Sequence, residues 1–441
     1  MKFSRSGLVT IAAMLVGAGC ALTLGGETAT LPVSAGMGPN PTLPPEVHAL
    51  LPTANVAPAI GWKNGAMPVA APGLKVAALA TGLEHPRWLY LLPNGDVLVA
   101  EASGPHFAQD FSGVKGMAAD FIMKKAGAVV DPVGRLILLR QTPQGVQRFV
   151  FADGLASPMG MALVGNELFV ADTDALIKFP YQPGDTKASA PPTHVLDLPG
   201  GPIDHHWTKT LLASTDGAKF YVGVGSNSNV GDNGMAAEEG RAAIWEIDRA
   251  TLAHRIFASG LRNPVGLAWE PVSGALWTSV NERDELGSDL VPDYMTHVQD
   301  GGFYGWPYSY YGQHVDGRAP PPPRPDLVAK AIVPDYALGP HTASLGLAFS
   351  HAGVLTPAFA QGAFIGQHGS WNRNPRSGYK VIFVPFADGK PSGPPVDVLT
   401  GFLDAQGNAQ GRPVGVAIDA NNALLVADDV GNAVWRVAPG P

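Results

Sequence analysis

Only one cysteine, Cys20, occurs in 441 residues. No intramolecular disulfide, thiolate zinc site or Cys-x-x-Cys-His haem attachment can form, so a redox role would need a cofactor other than covalently held haem. Charged residues are also scarce, at 15%, and the formal net charge is −8. That balance leaves no broad cationic surface for phosphate backbones and argues against a nucleic-acid partner. No Gly-x-Gly-x-x-Gly opens a helix after a strand, and there is no phosphate-cradling loop and no Gly-x-Ser-x-Gly elbow. Nicotinamide, ATP and serine-hydrolase chemistries lose ground accordingly. Beyond the N-terminus no apolar run approaches the roughly 20 residues of a membrane span.

What is abundant is turn chemistry. Gly 54 and Pro 41, set against 46% hydrophobic residues, indicate many short strands between turns and exclude disorder. The clearest stretch is Gly260-Leu-Arg-Asn-Pro-Val-Gly-Leu-Ala-Trp followed, after a Pro/Gly turn, by Ala275-Leu-Trp-Thr-Ser-Val-Asn-Glu-Arg-Asp-Glu285. Two alternating apolar segments so joined read as a β-hairpin. A hairpin returns to the edge it started from, so Arg262 and Asn263 should sit beside Asn281 and Glu282.

The pattern recurs. Copies begin near residues 86, 158, 206, 264, 344 and 413, with turns such as Asn94-Gly95, Gly165-Asn166, Asp216-Gly217 and Asn421-Asn422 between their strands. Each copy is too small to bury its own faces, and repetition of such units is the mark of a ring. The expected fold is all-β, a six-bladed β-propeller of four-stranded antiparallel blades, with the chain ends brought together by closure. The first strand of each copy should line the axis, so the polar residues flanking the copies should gather on one face.

The flanks of this ring divide the chain. Residues 1–21, with Lys2 and Arg5 ahead of an apolar run and small residues after it, read as a signal peptide for export to the periplasm or cell exterior. Ala18-Gly19-Cys20 is similar to a lipoprotein cleavage site, which makes a lipid anchor at Cys20 the alternative to ordinary cleavage. Residues 22–75 are a Pro/Ala/Gly-rich leader wrapped on the ring, and residues 76–441 form the propeller. The insertion at 104–130 suits a short packed helix. The excursion at 284–343 contains Gly301-Gly-Phe-Tyr-Gly-Trp-Pro-Tyr-Ser-Tyr-Tyr311, whose aromatics suit either sugar stacking or loop packing.

At the converging face His206 is the candidate general base. If the strand extends back through His205-His206, alternation should turn His205 away. Arg262, Arg373 and Arg412 head or close three copies and suit an anionic ligand; the simpler reading is salt bridges to Glu101, Asp172 and Asp428. The run Asn281-Glu-Arg-Asp-Glu285 offers oxygens suited to a hard cation.

Gly260-Leu-Arg-Asn-Pro-Val-Gly-Leu-Ala, Tyr304-Gly-Trp-Pro, His205-His206 and Gly411-Arg-Pro-Val-Gly-Val-Ala together resemble the sorbosone dehydrogenase and soluble glucose dehydrogenase family, which uses pyrroloquinoline quinone (PQQ) on a six-bladed propeller. His368-Gly-Ser-Trp-Asn-Arg373 and Asn281-Glu-Arg-Asp-Glu-Leu286 are similar to the sorbosone dehydrogenase branch. The resemblance implies that His206 is the base and that Arg262 and Asn263 hold the quinone. It implies that Arg412, Arg373 and Asn281 complete the cofactor site. Ser226 or Asn227 stands where the glucose enzymes place an aspartate to orient the base, and both are assigned to the cofactor site. The backbone carbonyls of Glu282 and Arg283 stand where those enzymes bind Ca²⁺. A sugar lactol or sugar aldehyde, sorbosone-like or an aldose, would be the substrate, and an external cytochrome or quinone the electron acceptor. A calcium-dependent propeller lactonase and a non-catalytic carbohydrate-binding propeller are the alternatives.

Overall fold

The computed structural model describes residues 26–47, 53–104, 124–127 and 131–440. The signal segment with Cys20 and most of the 104–130 insertion lie outside the described residues. Among the described residues no helix is long and apolar enough to cross a membrane.

Six antiparallel sheets follow one another along the chain, each with its first strand innermost. The inner strands are Pro86–Leu91, Met161–Val164, Lys209–Ala213, Pro264–Trp269, Ser344–Phe349 and Pro413–Ile418. They match the six sequence copies, and inner strands of neighbouring blades touch around the axis. The fold is thus a six-bladed β-propeller. Within the fourth blade Pro264 pairs with Val280 and Trp269 with Leu276, the hairpin expected from the sequence. The sixth blade takes its outermost strand from the beginning of the ring: Leu74–Thr81 pairs antiparallel with Ala433–Pro439. The chain thereby closes on itself.

Small residues at fixed places make the ring possible. A Cβ added at Gly266 would lie 2.7 Å from the Leu345 carbonyl of the next blade, and one at Gly415 would lie 2.8 Å from the Arg87 carbonyl. The glycine of the Pro-Val-Gly triplet is therefore where adjacent inner strands abut. The residue before it fills the axis, so that Met159, Val265, Leu345 and Val414 meet in one buried cluster with Trp88 against it. Register slips at Pro86/Trp88, Pro264/Gly266, Ser344/Leu347 and Pro413/Val416 bulge the same end of four inner strands. Bulges of this kind bend a strand and re-aim its side chains.

The excursion after Glu285 holds the rest of the fourth blade. Pro292–His297 and Tyr336–Pro340 are its third and fourth strands, and the aromatic run lies between them. Tyr304, Trp306, Tyr310 and Tyr311 are all buried. Tyr304 donates to His297 O at 2.8 Å, and Gly302–Phe303 adds a short parallel edge to the third blade. The run is packing, so the sugar-stacking expectation gives way to its alternative. The leader adds two more outer edges: Met37–Gly38 pairs with the fourth blade and Val69–Ala70 with the fifth.

Candidate active site

The inner strands begin, and the second strands end, on one face of the ring. On the side formed by the third and fourth blades lies His206, in a turn ahead of Lys209–Ala213. Its Nδ1 faces the Ser226 carbonyl at 3.1 Å and Ser226 Oγ at 3.0 Å. A carbonyl can only accept, so Nδ1 carries the proton and Nε2 keeps the lone pair. Burial, with the Arg262 cation and His205 beside it, holds the imidazole well below the ordinary histidine value. His206 is therefore neutral near pH 7, the form a proton acceptor requires.

His205 departs from the alternation argument. Both histidines lie in a turn rather than a strand, and their rings meet edge to face with centroids 4.7 Å apart. His205 is the exposed member of the pair and His206 the buried one.

Arg262 is 1% exposed. Its Nε donates to Asn229 O (3.0 Å), one terminal nitrogen to Asn281 O (3.3 Å) and Glu282 O (2.7 Å), and the other to Asn229 Oδ1 (2.9 Å) and Asp284 Oδ2 (3.2 Å). All five N–H groups are satisfied by the protein, so Arg262 organises the 281–284 loop. Asp284 also accepts from Asn372 Nδ2 at 2.5 Å and lies 3.6 Å from His341 Nδ1. Burial would raise its pKa, but Arg262 and His341 outweigh that and keep it below the ordinary carboxylate value.

Opposite, across the fifth, sixth and first blades, a second cluster centres on Asp429. His368 Nε2 lies 2.9 Å and Arg87 NH1 2.6 Å from the same carboxylate oxygen, with His85 Nε2 at 3.7 Å. Burial opposes ionisation of Asp429, yet these three hold it far below its usual range. Burial also depresses His368, against the pull of Asp429, to about 4. Arg87 stacks over the Trp207 ring at 5.6 Å, which links this cluster to the His206 turn.

Arg412 belongs to the second cluster and is 4% exposed. Its side chain reaches Tyr379 OH at 3.2 Å and lies over that ring, while its Nε has no partner. Its contact with Asp428 is through the backbone N–H alone, and no carboxylate among the described residues neutralises its guanidinium. Glu101 pairs with Arg135 and Arg148 of its own blade. The expected salt-bridge set of Glu101, Asp172 and Asp428 therefore does not include the three arginines.

The remaining candidates divide. Asn263 is buried beside His206 with its Oδ1 unpartnered. Asn281 donates from Nδ2 to Asp293 at 3.2 Å. Asn227 is committed to the protein, donating to Ile203 O and accepting from Asn233. Arg373 turns outward to the leader, reaching Leu31 O at 2.9 Å and Asp289 at 3.0 Å. Its neighbour Asn372 is the residue that joins the central network. Asn229, His341, His85, Arg87 and Asp429 were not singled out from sequence. A signal existed for two of them, since His85 and Arg87 flank Pro86 much as Arg262 and Arg412 precede Pro264 and Pro413.

The two guests implied by resemblance fare differently. A carboxylate-bearing quinone fits, because the buried and unneutralised Arg412 needs an anion and Asn263 Oδ1 and Arg412 Nε are unpartnered. The structure gives less support for calcium, which the resemblance assigns to the backbone carbonyls of Glu282 and Arg283. Of these two carbonyls that of Glu282 already accepts from Arg262, while among the side chains burial pushes the Glu282 carboxyl up to about 7 and Arg283 pairs with Asp316 at 2.5 Å. Among the described residues no three His, Cys, Asp or Glu side chains converge as a metal site requires.

A six-bladed ring with a buried neutral histidine and a buried, unneutralised arginine on one face is the frame for comparison with known proteins. The chain belongs to the TrAA12-like family, whose model matches residues 137–299 and 328–439. It is 25% identical over 425 residues to a pyrroloquinoline quinone-dependent pyranose dehydrogenase of Coprinopsis cinerea, covering 83% of this chain and 54% of that protein. It is 32% identical over 136 residues to an aldose sugar dehydrogenase of Escherichia coli, covering 31% of this chain and 32% of that one. An uncharacterized Borreliella burgdorferi protein is 29% identical over 248 residues, covering 54% of this chain and 62% of the relative. The chain thus spans less than two thirds of the length of these relatives. The PQQ domain of the Coprinopsis cinerea enzyme superposes with a TM-score of 0.66 at 22% identity, covering 87% of this chain and all of that domain. A Trichoderma reesei carbohydrate-active enzyme of family AA12 gives 0.67 at 19% identity, covering 89% of this chain and 100% of that one.

Proposed function

We propose that this propeller is a PQQ-dependent oxidoreductase that oxidises a sugar lactol or sugar aldehyde hydrate at the mouth between the two clusters. The observation that carries this reading is a neutral, buried His206, its Nε2 free of the tautomeric proton, on the same face as a buried Arg412 with no carboxylate partner. The names of the relatives point the same way. The bound quinone would supply the acceptor for hydride leaving the substrate carbon. His206 Nε2 takes the hydroxyl proton from that carbon, so a lactol leaves as lactone and an aldehyde hydrate as acid. Arg412 holds a quinone carboxylate, Asn263 orients the ligand, and Arg262 lends positive charge where negative charge accumulates. Calcium has no part in this reading.

Finer assignments rest on sequence. The His368–Arg373 and Asn281–Leu286 motifs favour a sorbosone-like aldehyde over glucose. Export with removal of residues 1–21, or anchoring at Cys20, would put the 76–441 propeller outside the cytoplasm. The 441 residues carry a single cysteine and no haem motif, and the acceptor in this reading is a separate cytochrome or quinone.

The test is reconstitution of the purified protein with PQQ, followed by quinone absorbance and dye reduction over a panel of aldoses and aldehydes. His206→Asn should keep quinone affinity and lose turnover by about 10²-fold or more, the scale of general-base catalysis. Absence of quinone binding, or hydrolysis of lactones in its place, would overturn the reading.

A further inference from the structure

His206 has no carboxylate on its Nδ1, yet the loop between the second and third strands of its blade grips its surroundings from two sides. At one end of that loop Glu238, buried in a short turn of helix, accepts from Asn227 N at 2.7 Å, Ser228 N at 3.1 Å and Ser228 Oγ at 2.7 Å. The Ser228 carbonyl receives Ser226 Oγ–H at 2.6 Å, and Ser226 in turn receives His206 Nδ1–H. Three residues further on, Arg241 donates to Asp204 Oδ1 at 2.6 Å and to Gly200 O at 2.5 Å. Asp204 also takes Lys209 Nζ at 3.2 Å, and Lys209 and Asp204 have fully buried side chains. The two loops are tied directly by His205 N to Asn227 O at 3.1 Å. His206 therefore sits between two anchored loops.

We propose that Met235–Arg241 is a brace for the proton acceptor and that Glu238 is its positioning residue, fixing the His206 tautomer through Ser228 and Ser226 without touching the imidazole. A carboxylate placed directly on Nδ1 would orient the ring and also raise its basicity. One placed two residues away orients it and leaves it neutral beside the Arg262 and Lys209 cations and the His205 ring that face it. Glu238 accepts three hydrogen bonds on two oxygens, so a glutamine there must turn an NH₂ group towards at least one donor. The 226–228 loop then has to move.

The inference rests on His206 being the base, but its test does not need the quinone. In ¹⁵N-labelled apoprotein at pH 7, ring nitrogen correlations should show wild-type His206 as a single Nδ1–H tautomer. In Glu238→Gln the ring should show a tautomer mixture, and in Ser228→Ala a smaller change in the same direction. Ser228→Ala leaves the buried carboxylate in place and serves if Glu238→Gln does not fold. In the reconstituted enzyme Glu238→Gln should lower kcat by about tenfold or more, with quinone affinity unchanged. A wild-type ring spectrum in both variants would overturn the brace. An altered spectrum together with full turnover in His206→Asn would uphold the brace and remove the base instead.

Discussion

Arg262 and Arg412 each stand just ahead of the proline that opens an inner strand, and the fold uses them oppositely. Removing Arg262 strips donors from Asn229, two loop carbonyls and Asp284 at once. Loss of one member of a buried, hydrogen-bonded charge pair costs about 3–5 kcal/mol, so Arg262→Ala should lower stability by that order in denaturant titrations. Arg412→Ala removes one side-chain hydrogen bond and relieves an unneutralised charge. It should leave the midpoint almost unmoved while weakening PQQ binding, with activity returning at high quinone concentration. The positions of both arginines were legible in sequence; their partners were not, because spacing fixes where a guanidinium starts and tertiary packing decides which oxygens surround it. The same holds for Asp172, read as a salt-bridge partner. It is buried with Oδ1 unpartnered, and burial pushes it up to about 7 from 3.8. Between those values the folded chain holds a proton that the unfolded chain has lost, so this group's contribution to stability falls as pH rises from about 4 to about 7. Asp172→Asn should therefore raise Tm relative to wild type at pH 8 and do so by less at pH 5.

Among elements, the hairpin was the readable unit because period-two alternation and turn residues are local properties. All six copies placed an inner strand within three residues of its observed start. Its partners across the blade seam are non-local, which is why the role of the triplet glycine emerges only from the ring. Gly266 has an ordinary backbone, so the obstacle to a side chain is steric: a Cβ would meet the Leu345 carbonyl and the Leu347 Cβ of the next blade. Neither can rotate away. Gly266→Ala should cost about 1–3 kcal/mol, the usual penalty for overpacking, seen as a lower denaturation midpoint with the m-value unchanged. The aromatic run after Gly301 shows the converse limit. Sequence marks it as special, but whether a Tyr or Trp faces a ligand or a neighbouring layer depends on what the third blade and the leader cover.

At the scale of the molecule, closure and wrapping make separate contributions. The strand Leu74–Thr81 completes the sixth blade, covering Trp435 and Val437 of the adjacent strand, and Gly440 N bonds to Gly73 O at 2.8 Å where the two ends meet. The leader before it decorates a ring already closed. It adds edges at Met37–Gly38 and Val69–Ala70, gives Trp62 Nε1 to Asp428 at 2.7 Å, and offers the carbonyls of Asn55 and Val56 to Arg376. A chain beginning at residue 73 should therefore still unfold in one cooperative transition, at a lower temperature because Arg373, Arg376 and Asp428 each lose partners. A chain beginning at residue 82 lacks the fourth strand of one blade and leaves the sixth blade's apolar face and an unpaired edge in water. It should show no cooperative transition and should aggregate. Calorimetry on the two truncations separates the contributions, and equal midpoints for both would mean that the ring does not depend on this strand for closure.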